Sequence, residues 1–299
     1  MALKPTTKNL IIRPSGLGDV LLSAITIASI RKKYPTNVFD VVVLEDYHDV
    51  AKLFLDVGKI YTVPSFYYSG QRSEELFKRH QREFGDAYDN ILNWQDEKIE
   101  IFKNKNTVPR VDLFLSSSPF SGVEVKISDV RMKQILDIGF RRDDKKHIGV
   151  CMSGVSLFRS FDERIIIDTI KKLLEKGYVV HHFGFRKISG ETIKSDDFID
   201  HGCTPTPMGL FQIINDLDFL ITVDTAAFHM ATLCNTPYLA FFGEVNAKLR
   251  TSHLNLGING RIVCNDTLDC VRGECLFCHS RPCLNDYEAD WIVENVDYI

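Results

Sequence analysis

The sequence predicts an α/β protein that contains two Rossmann-like domains with parallel sheets. Two segments about two hundred residues apart, Asn9 to Asp19 and Phe219 to His229, each have the pattern of a strand, a polar loop and the start of a helix. The alternation of strand and helix patterns in the first half also restarts near residue 147. Such alternation is typical of doubly wound sheets, which bind ligands at the carboxyl ends of their strands. We therefore expect two domains whose sheets face one central cleft.

The elements of the first half follow from runs of apolar residues. Leu10 to Arg13 predicts a buried strand. The stretch from Val20 to Ile30 is apolar on nearly every side, so it predicts a helix packed deep against a sheet. The cations from Arg31 to Lys33 suit the C-terminus of that helix. The remaining predicted elements are, in order, a strand at Val38–Leu44, a helix at Ala51–Val57, a strand at Lys59–Val63, a helix at Ser73–Phe84 and a strand end at Asn90–Trp94.

The second half repeats this order after a charged stretch, 141–147, that predicts a linker. We place an N-terminal Rossmann-like domain at 1–143, a C-terminal Rossmann-like domain at 144–285, and a final helix within 286–299 that packs back on the N-terminal domain. The predicted strands of this half are His147–Met152, Tyr178–Phe183, Phe219–Val223 and Pro237–Phe242, and the predicted helices are Ile165–Glu175, Met208–Leu217, Thr225–Leu233 and Tyr287–Val296.

Composition limits the class of protein. The formal net charge is -4, from 36 basic and 40 acidic side chains, which gives no electrostatic reason for wholesale binding to nucleic acid. No run approaches the roughly 20 apolar residues of a membrane span, and the polar start lacks the apolar core of a secretory signal. We therefore expect a cytoplasmic protein with reduced cysteines, whose contact with a membrane would be peripheral.

The loop from Ser15 to Asp19 joins the first strand to the first helix. Its glycines permit tight turns and the close approach of another molecule. It lacks the third glycine of a dinucleotide-binding loop and the ending of a Walker A loop. Asp19 has two interpretations. It is either an acid that the dipole of the helix N-terminus favours, or a general base that accepts a proton from a hydroxyl nucleophile.

Two loops of the second half are suited to phosphate. Asp224 and Thr225 place oxygens and N–H groups at a helix N-terminus, and His229 follows one turn later on the same face. The alternative is a helix cap beside a partly buried histidine. The loop 153–159 suits phosphate oxygens, with Arg159 neutralising the charge of a leaving group, and is otherwise an ordinary surface loop.

Five of the eight cysteines cluster near the C-terminus. Cys275 and Cys278 have the C-x2-C spacing of a zinc knuckle, but the sequence has no second C-x2-C pair. A structural zinc at Cys270, Cys275, Cys278 and Cys283 is therefore one interpretation. Thiols without metal are the interpretation that the spacing favours.

Two motifs in this sequence are similar to those of a known family. Arg13 to Val20 is similar to an R-x-S-x-x-G-D loop, and Asp224 to Ala231, followed by Pro237 and Gly243, is similar to a D-S-G-P-x-H-x-A block with its P-x-x-x-x-F-G ending. Together they resemble glycosyltransferase family nine, the ADP-heptose:lipopolysaccharide heptosyltransferases. The motifs have the order and position of that family, so the resemblance covers most of the chain.

The resemblance implies a GT-B architecture, with the acceptor on the N-terminal domain and the nucleotide sugar on the C-terminal domain. It implies an inverting reaction that requires no cofactor and no metal for its chemistry. Under the resemblance Asp19 is the catalytic base, and Glu191 matches an acid that binds ribose. The residues that it implies for the donor and its phosphates are Gly18, Ser153, Gly154, Arg159, Asp224, Thr225, Ala226 and His229.

The function that we expect is transfer of a sugar from a nucleotide diphosphate donor, similar to ADP-heptose, to an acceptor hydroxyl. The acceptor would be lipopolysaccharide or another glycan or glycolipid. Ala226 and Ala227 stand where the family has Gly-Pro, and residues 65–130 match no pattern of the family. A second hypothesis is therefore a non-catalytic protein that binds nucleotide sugars. A third is the same chemistry on a protein or a modified DNA base.

Overall fold

The structure is a computed structural model in which two compact units are distinguished. It describes residues 6–14, 16–54, 57–65, 72–94, 108–116, 118–130, 144–185, 188, 193–203, 206–243, 246–254, 260–264, 278 and 280–296. The first unit takes residues up to 134 together with 248–255, and the second takes 135–247 and 256–299. Among the described helices, none is both long enough and apolar enough to span a membrane.

The first unit is a four-stranded parallel sheet with helices between its strands. The strand order is β3-β2-β1-β4. Its elements are β1 (Lys8–Ile12), α1 (Leu17–Lys33), β2 (Val38–Leu44), α2 (His48–Phe54), β3 (Ile60–Val63), α3 (Arg72–Phe84), β4 (Asn90–Asn93) and α4 (Arg110–Ser116). The predicted strand and helix order of this half is confirmed, whereas α4 falls in a segment for which the sequence predicted no element.

The core of the first unit lies where α1 covers the sheet. Apart from Val38 at the start of β2, the apolar side chains of β1 and β2 are almost completely buried, among them Leu10, Ile11 and Val42. Ten residues of α1 are buried, as its apolar composition predicts, and its last turn carries three cations that complement the helix dipole. The helix therefore has little free surface, and its N-terminus is held at the carboxyl end of β1.

The second unit is a six-stranded parallel sheet with the order β10-β9-β8-β5-β6-β7. With β5 as strand 1 and the order read from β7, this is the Rossmann order 3-2-1-4-5-6. Its elements are β5 (His147–Cys151), α5 (Glu163–Glu175), β6 (Val179–Gly184), β7 (Phe198–Cys203), α6 (Pro207–Asp216), β8 (Phe219–Val223), α7 (Ala226–Cys234), β9 (Tyr238–Phe242), α8 (Ala247–Arg250, most of which belongs to the first unit), β10 (Gly260–Cys264), α9 (Pro282–Asn285) and α10 (Ala289–Glu294).

The central strands of this sheet are covered on both faces. Every residue of β5, β8 and β9 is buried, which explains why their sequences are mostly apolar, with only His147 and Thr222 as polar residues. The predicted strands of the second half are confirmed. The sequence prediction omitted β7 and β10, because the polar and glycine residues in FIDHGC and GRIVC interrupt the apolar pattern.

The position of the C-terminal helix is a correction. The prediction was that residues 286–299 pack back on the N-terminal domain. Instead, α10 packs against α5, and Ile292, Val293 and Val296 belong to the hydrophobic core of the second unit. The Lys172 ammonium also lies 2.5 Å from the Asp290 carboxylate. The apolar stripe of α10 therefore finds its partner in its own unit, where burial of each large side chain contributes about 1.5–3 kcal/mol.

The boundaries also differ from the predicted ones. The first part of this unit ends at 134 instead of 143, and the unit also includes the segment 248–255 from the second half of the sequence. Within this unit the Ile127 amide donates to the His253 carbonyl at 3.0 Å. The local composition of residues 248–255 does not show that they pack with the first unit, so the sequence did not predict this return of the chain.

Candidate functional site

Each sheet has a switch point, where successive strands are added on opposite sides of the first strand. In the first unit this point lies between β1 and β4, and in the second unit between β5 and β8. Ligands of open α/β sheets bind outside the carboxyl ends of the strands at such points. The first turn of α1, which carries Asp19, comes shortly after β1, the loop 153–159 follows β5, and Asp224 and Thr225 follow β8. The predicted motifs therefore occupy the switch point of their own unit.

Gly16 shapes the first of these loops. It is the N-cap of α1 and has φ 76°, in the left-handed region that favours glycine. A Cβ at this position would lie 3.0 Å from Asp19 Oδ2. The glycine thus lets the chain turn tightly into the helix while the Asp19 carboxylate folds back over it. Gly18, predicted to contact the donor, is half-buried in the first turn of α1 in the first unit.

Two arginines hold the Asp19 carboxylate. Arg110 donates from Nε to Oδ1 and from Nη2 to Oδ2, both at 3.0 Å. Arg13 donates a second guanidinium hydrogen bond to Oδ2, and its other terminal nitrogen donates to the Trp94 carbonyl at 2.8 Å. The bidentate geometry fixes the plane of the carboxylate. Asp19 is the least buried of the three ionic side chains, with 21% of its side chain exposed.

These arginines control the protonation of Asp19. Burial by itself raises the pKa of the carboxyl group, but the charges of Arg13, Arg110 and, more weakly, Arg250 outweigh it. The pKa of Asp19 is therefore held far below its usual value of 3.8. The group is a carboxylate throughout the physiological range, with a low affinity for a proton.

An aromatic pair lies under the arginines. The Trp94 and Phe114 rings are stacked, with centroids 5.1 Å apart and planes at 6°. The guanidinium carbons of Arg13 and Arg110 lie 5.8 and 5.4 Å from the Phe114 ring centroid, within the range of cation–π contacts. The rings thus give the buried cations a second favourable contact and restrict their rotamers.

The second unit brings two loops together at its switch point. A Cβ on Gly154 would lie 2.9 Å from Arg159 Cβ and 3.5 Å from Thr225 Cγ2, so only glycine fits there without a shift. Arg159 Nη1 lies 3.7 Å from Asp224 Oδ2, and the Asp224 side chain is buried. The structure therefore places the loop 153–159 directly beside the loop after β8.

The residues after β8 form the N-terminus of α7. Thr225 is the N-cap and makes no side-chain capping hydrogen bond, while its hydroxyl lies 3.4 Å from that of Thr222. Ala226 is the first helical residue and is half-buried. His229 is one turn further on and is 5% exposed, with its ring edge-on to Phe228. First-turn amides at the end of a nine-residue helix suit an anion.

Serine side chains stabilise the loop 153–159 from within. The Phe185 amide donates to Ser153 Oγ at 3.2 Å, so this hydroxyl ties the loop to the end of β6. The Gly154 amide donates to Ser160 Oγ at 3.0 Å, and that hydroxyl donates to the Ser156 carbonyl at 2.9 Å. The predicted residue Ser153 is 2% exposed, so it shapes the loop more than it offers an oxygen to a ligand.

The sequence matches no protein-family model and no curated protein sequence. Solved structures do match. That of E. coli ADP-heptose lps heptosyltransferase II has a TM-score of 0.68 and 14% identity, covering 97% of this chain and 98% of that chain. A glycosyl transferase family 9 protein from Veillonella parvula has a TM-score of 0.63 and 13% identity, covering 86% and 85%. The E. coli heptosyltransferase WaaC with ADP has a TM-score of 0.63 and 14% identity, covering 97% and 99%.

This chain has the fold of a family-nine glycosyltransferase. The fold class predicted from the sequence, α/β with GT-B type units built on parallel sheets, is confirmed by the two sheets and by these structures. The identities of 13% and 14% mean that the likeness concerns the fold.

Several site predictions fall outside the part of the chain that the structure describes. Glu191, the predicted ribose ligand, lies there, as do Cys270 and Cys275 of the predicted zinc site. Cys278 and Cys283 are described. Within the described residues no group of three or more histidine, cysteine, aspartate or glutamate side chains is arranged to hold a metal ion.

Sequence reasoning missed three arginines of this family-nine fold. Arg110 and Arg250 approach Asp19 from segments 91 and 231 positions further along the chain, and Arg281 approaches the loop 153–159 from the end of the cysteine-rich stretch. Arg110 precedes the segment Val111 to Leu115, which is apolar apart from Asp112 and could have indicated a helix. The sequence gives no comparable signal for the pairing of any of these arginines with its partner.

Proposed function

We propose that this protein is an inverting, metal-independent glycosyltransferase that uses a nucleotide diphosphate sugar. The observation that carries the proposal is the convergence of Gly154, Arg159, Asp224 and Thr225 at the switch point of the second unit. The structural neighbours support it, because they are named as heptosyltransferases and one of them is a complex with ADP. The donor that we propose is therefore similar to ADP-heptose.

The donor diphosphate would occupy the N-terminus of α7. Backbone amides of the first turn would donate to its oxygens, as they do at many anion sites. Arg159 would add a charge-assisted hydrogen bond and neutralise the charge that develops on the leaving diphosphate. His229, one turn further along the same helix, would act as a second donor from a buried position.

The acceptor hydroxyl would bind beside Asp19 on the first unit. Its oxygen would attack the anomeric carbon from the face opposite the diphosphate, forming the new C–O bond as the bond to the leaving oxygen breaks. An alcohol becomes strongly acidic as its oxygen bonds to that carbon. A carboxylate of low pKa can then accept the proton late in the step, and the fork of Arg110 would keep it oriented for this purpose.

The acceptor that we propose is a glycan or glycolipid, such as lipopolysaccharide, met in the cytoplasm or at a membrane surface. A protein and a modified DNA base are alternatives with the same chemistry. A panel of acceptors presented with one active donor would distinguish them.

One observation favours a second candidate function. Asp19 is already engaged by two arginines, and its low proton affinity is a poor match for a general base. A non-catalytic protein that binds nucleotide sugars would need no base at all. The two functions differ in turnover rather than in affinity.

A screen with ADP-, UDP-, GDP- and dTDP-linked sugars tests the proposal. A ligand present at 100 times its dissociation constant stabilises the protein by about 2.7 kcal/mol, which a thermal shift readily detects. We expect one of these donors to stabilise the protein and to be consumed when an acceptor is added. Tight binding without any hydrolysis or transfer would favour the non-catalytic candidate. No binding to any donor would contradict both.

A further inference from the structure

Arg281 contacts the loop of the proposed diphosphate site from outside. Its Nη1 donates to two carbonyls of this loop, that of Leu157 at 2.9 Å and that of Ser160 at 2.7 Å. Its Nη2 donates to the Asp162 carboxylate. One guanidinium thus bridges three residues that follow one another closely in the chain, although it lies about 120 positions away in sequence.

The loop segment that Arg281 holds includes Arg159. Residues Leu157–Arg159 form a single 3-10 turn, in which the Ser160 amide donates to the Leu157 carbonyl at 3.1 Å. The same carbonyl accepts from Arg281, and Arg159 lies between the two carbonyls that Arg281 binds. Any change in this turn therefore changes the direction in which the Arg159 side chain leaves the backbone.

The Asp162 side chain binds Arg281 instead of capping α5. Asp162 is the N-cap of α5, a position where an aspartate usually accepts from an amide of the first turn. Its side chain makes no such hydrogen bond and instead accepts from Arg281. The Asp162 amide donates to Asn285 Oδ1 at 3.0 Å, so a second side chain from the same region holds this residue.

Arg281 is itself held in a fixed position. It has φ 47°, in the left-handed region that few non-glycine residues adopt. The amides of Leu284 and Asn285 donate to its carbonyl at 3.0 and 2.9 Å, and Leu284 is fully buried. Its side chain is 16% exposed. The guanidinium therefore approaches the loop from a rigid backbone, which is the condition for positioning another group accurately.

The short helix α9, of which Arg281 is the N-cap, also contacts the end of the segment that resembles the family block. A Cβ on Gly243 would lie 2.9 Å from Cys283 Sγ and 3.3 Å from Leu284 Cγ. Gly243 directly follows β9 and closes the segment that resembles the family block. The turn after the cysteine-rich stretch thus packs on the end of β9 while Arg281 binds the loop after β5.

We propose that Arg281 is a positioning residue for the donor diphosphate, because it holds the turn Leu157–Arg159 so that the Arg159 guanidinium lies beside Asp224. This inference rests on the proposed function. Arg281 itself binds backbone carbonyls and Asp162, and it acts on the ligand through Arg159. The planar fork of the guanidinium reaches all three acceptors from two nitrogens, whereas the single ammonium nitrogen of a lysine reproduces this geometry only in part.

Calorimetry with a nucleoside diphosphate and the matching nucleoside tests the proposal on the full chain. The probe is whichever of ADP, UDP, GDP and dTDP binds the wild type most tightly. We expect Arg281→Gln to lower the affinity for the diphosphate roughly 10- to 100-fold, which is the effect of losing one charge-assisted hydrogen bond. The affinity for the nucleoside should change by less than about twofold. Arg281→Lys should give an intermediate loss. Arg164→Gln, on the exposed face of α5, removes the same charge nearby and should have no effect.

A double variant separates positioning from a general loss of stability. If Arg281 acts through Arg159, then Arg281→Gln combined with Arg159→Ala should bind the diphosphate no more weakly than Arg159→Ala alone. Additive losses would overturn the proposal. So would an equal loss of nucleoside and diphosphate affinity, or unchanged affinity in Arg281→Gln.

Hydrogen exchange gives a readout that needs no ligand. The Arg159 and Ser160 amides should exchange faster in Arg281→Gln than in wild type, while amides of β8 stay protected. Unchanged exchange at these two amides would overturn the proposal. If the wild type binds none of the four diphosphates, the proposed function fails, and exchange alone then decides whether Arg281 holds this turn.

Discussion

Arg110 donates two hydrogen bonds of 3.0 Å to Asp19, one to each oxygen of its carboxylate. The pair joins the first turn of α1 to the first residue of α4, 91 positions apart in the sequence. Together with Arg13, Arg110 orients the Asp19 carboxylate and keeps it charged, and Asp19 is the residue that the proposed mechanism places at the acceptor hydroxyl.

Replacing Asp19 with alanine should separate binding from transfer. The carboxylate would no longer accept the proton of the acceptor, and general-base help is typically worth about 10²–10⁴-fold in rate. We expect kcat to fall by that factor while donor affinity, measured by calorimetry, stays within about twofold. Full activity in Asp19→Ala would remove Asp19 from the mechanism. Asp49→Ala, at an exposed carboxylate of α2, is a control.

Asp19 should also contribute to stability in a way that depends on pH. Because its folded pKa lies well below the usual 3.8, the unfolded chain binds more protons in strong acid. The stabilisation is complete above about pH 4 and is lost as pH falls from there toward the folded pKa. We expect Asp19→Asn to lower the free energy of unfolding at pH 7 by roughly 1.5–3 kcal/mol, the value of hydrogen bonds to charged groups.

Denaturant unfolding of wild type and Asp19→Asn at pH 7, 5, 4 and 3 measures this effect. The difference between the two proteins should be the same at pH 7 and pH 5 and should shrink at pH 3. A difference that grew in acid would mean that the arginines do not hold the carboxylate in its charged form.

Arg159→Ala and His229→Ala should each lower the affinity for a nucleoside diphosphate more than the affinity for the matching nucleoside. Each lost charge-assisted hydrogen bond would cost about 1.5–3 kcal/mol of binding free energy. Isothermal titration with both ligands measures the difference. An equal loss for nucleoside and diphosphate would show that these side chains do not contact phosphate.

Gly154→Ala should reduce donor affinity without unfolding the protein. The new methyl group would come within 2.9 Å of Arg159 Cβ and 3.1 Å of the Arg159 carbonyl, so the loop must shift. We expect the diphosphate to bind at least tenfold more weakly, which is a loss of roughly 1.4 kcal/mol in binding free energy. Gly85→Ala is the matched control, because a Cβ there meets no atom within 4 Å among the contacts that the structure describes. Equal affinity in both variants would contradict the tight packing of this loop.

A row of histidines in the second unit should make its stability sensitive to mild acid. The ring nitrogens of His147 and His181 are 2.9 Å apart, and those of His181 and His201 are 3.0 Å apart. Burial lowers the pKa of His201 below its usual 6.5, a shift that the charge of Asp200 only partly opposes. A lowered pKa means that the stabilisation is present above pH 6.5 and is lost as pH falls below it.

Thermal unfolding between pH 7.5 and 5 checks this prediction. The melting temperature of the wild type should fall over this interval, and that of His201→Gln should fall less, because the glutamine does not titrate. Identical pH dependence in the two proteins would show that His201 is not responsible.

The sequence by itself determined most of the secondary structure and the location of the site. Mostly apolar runs, as in β5 and β8, identify strands that are buried on both faces, and the nearly all-round apolar surface of α1 identifies a helix that covers a sheet. Asp19, Arg159, Asp224 and Thr225 could be selected because each lies where a strand gives way to a helix, and that order places a residue at the carboxyl edge of a parallel sheet. Local order along the chain is enough for these inferences.

Only the tertiary structure decided which side chains meet. Arg110 and Arg281 reach their partners across 91 and about 120 residues, and an arginine in a sequence does not reveal which carboxylate or carbonyl it will bind. The same holds for α10, whose apolar residues indicated burial but not the unit against which they pack. Local patterns report whether a side chain is buried, since burial depends on its own chemistry. The identity of its partner, and with it the pKa of Asp19, depends on how distant segments come together in space.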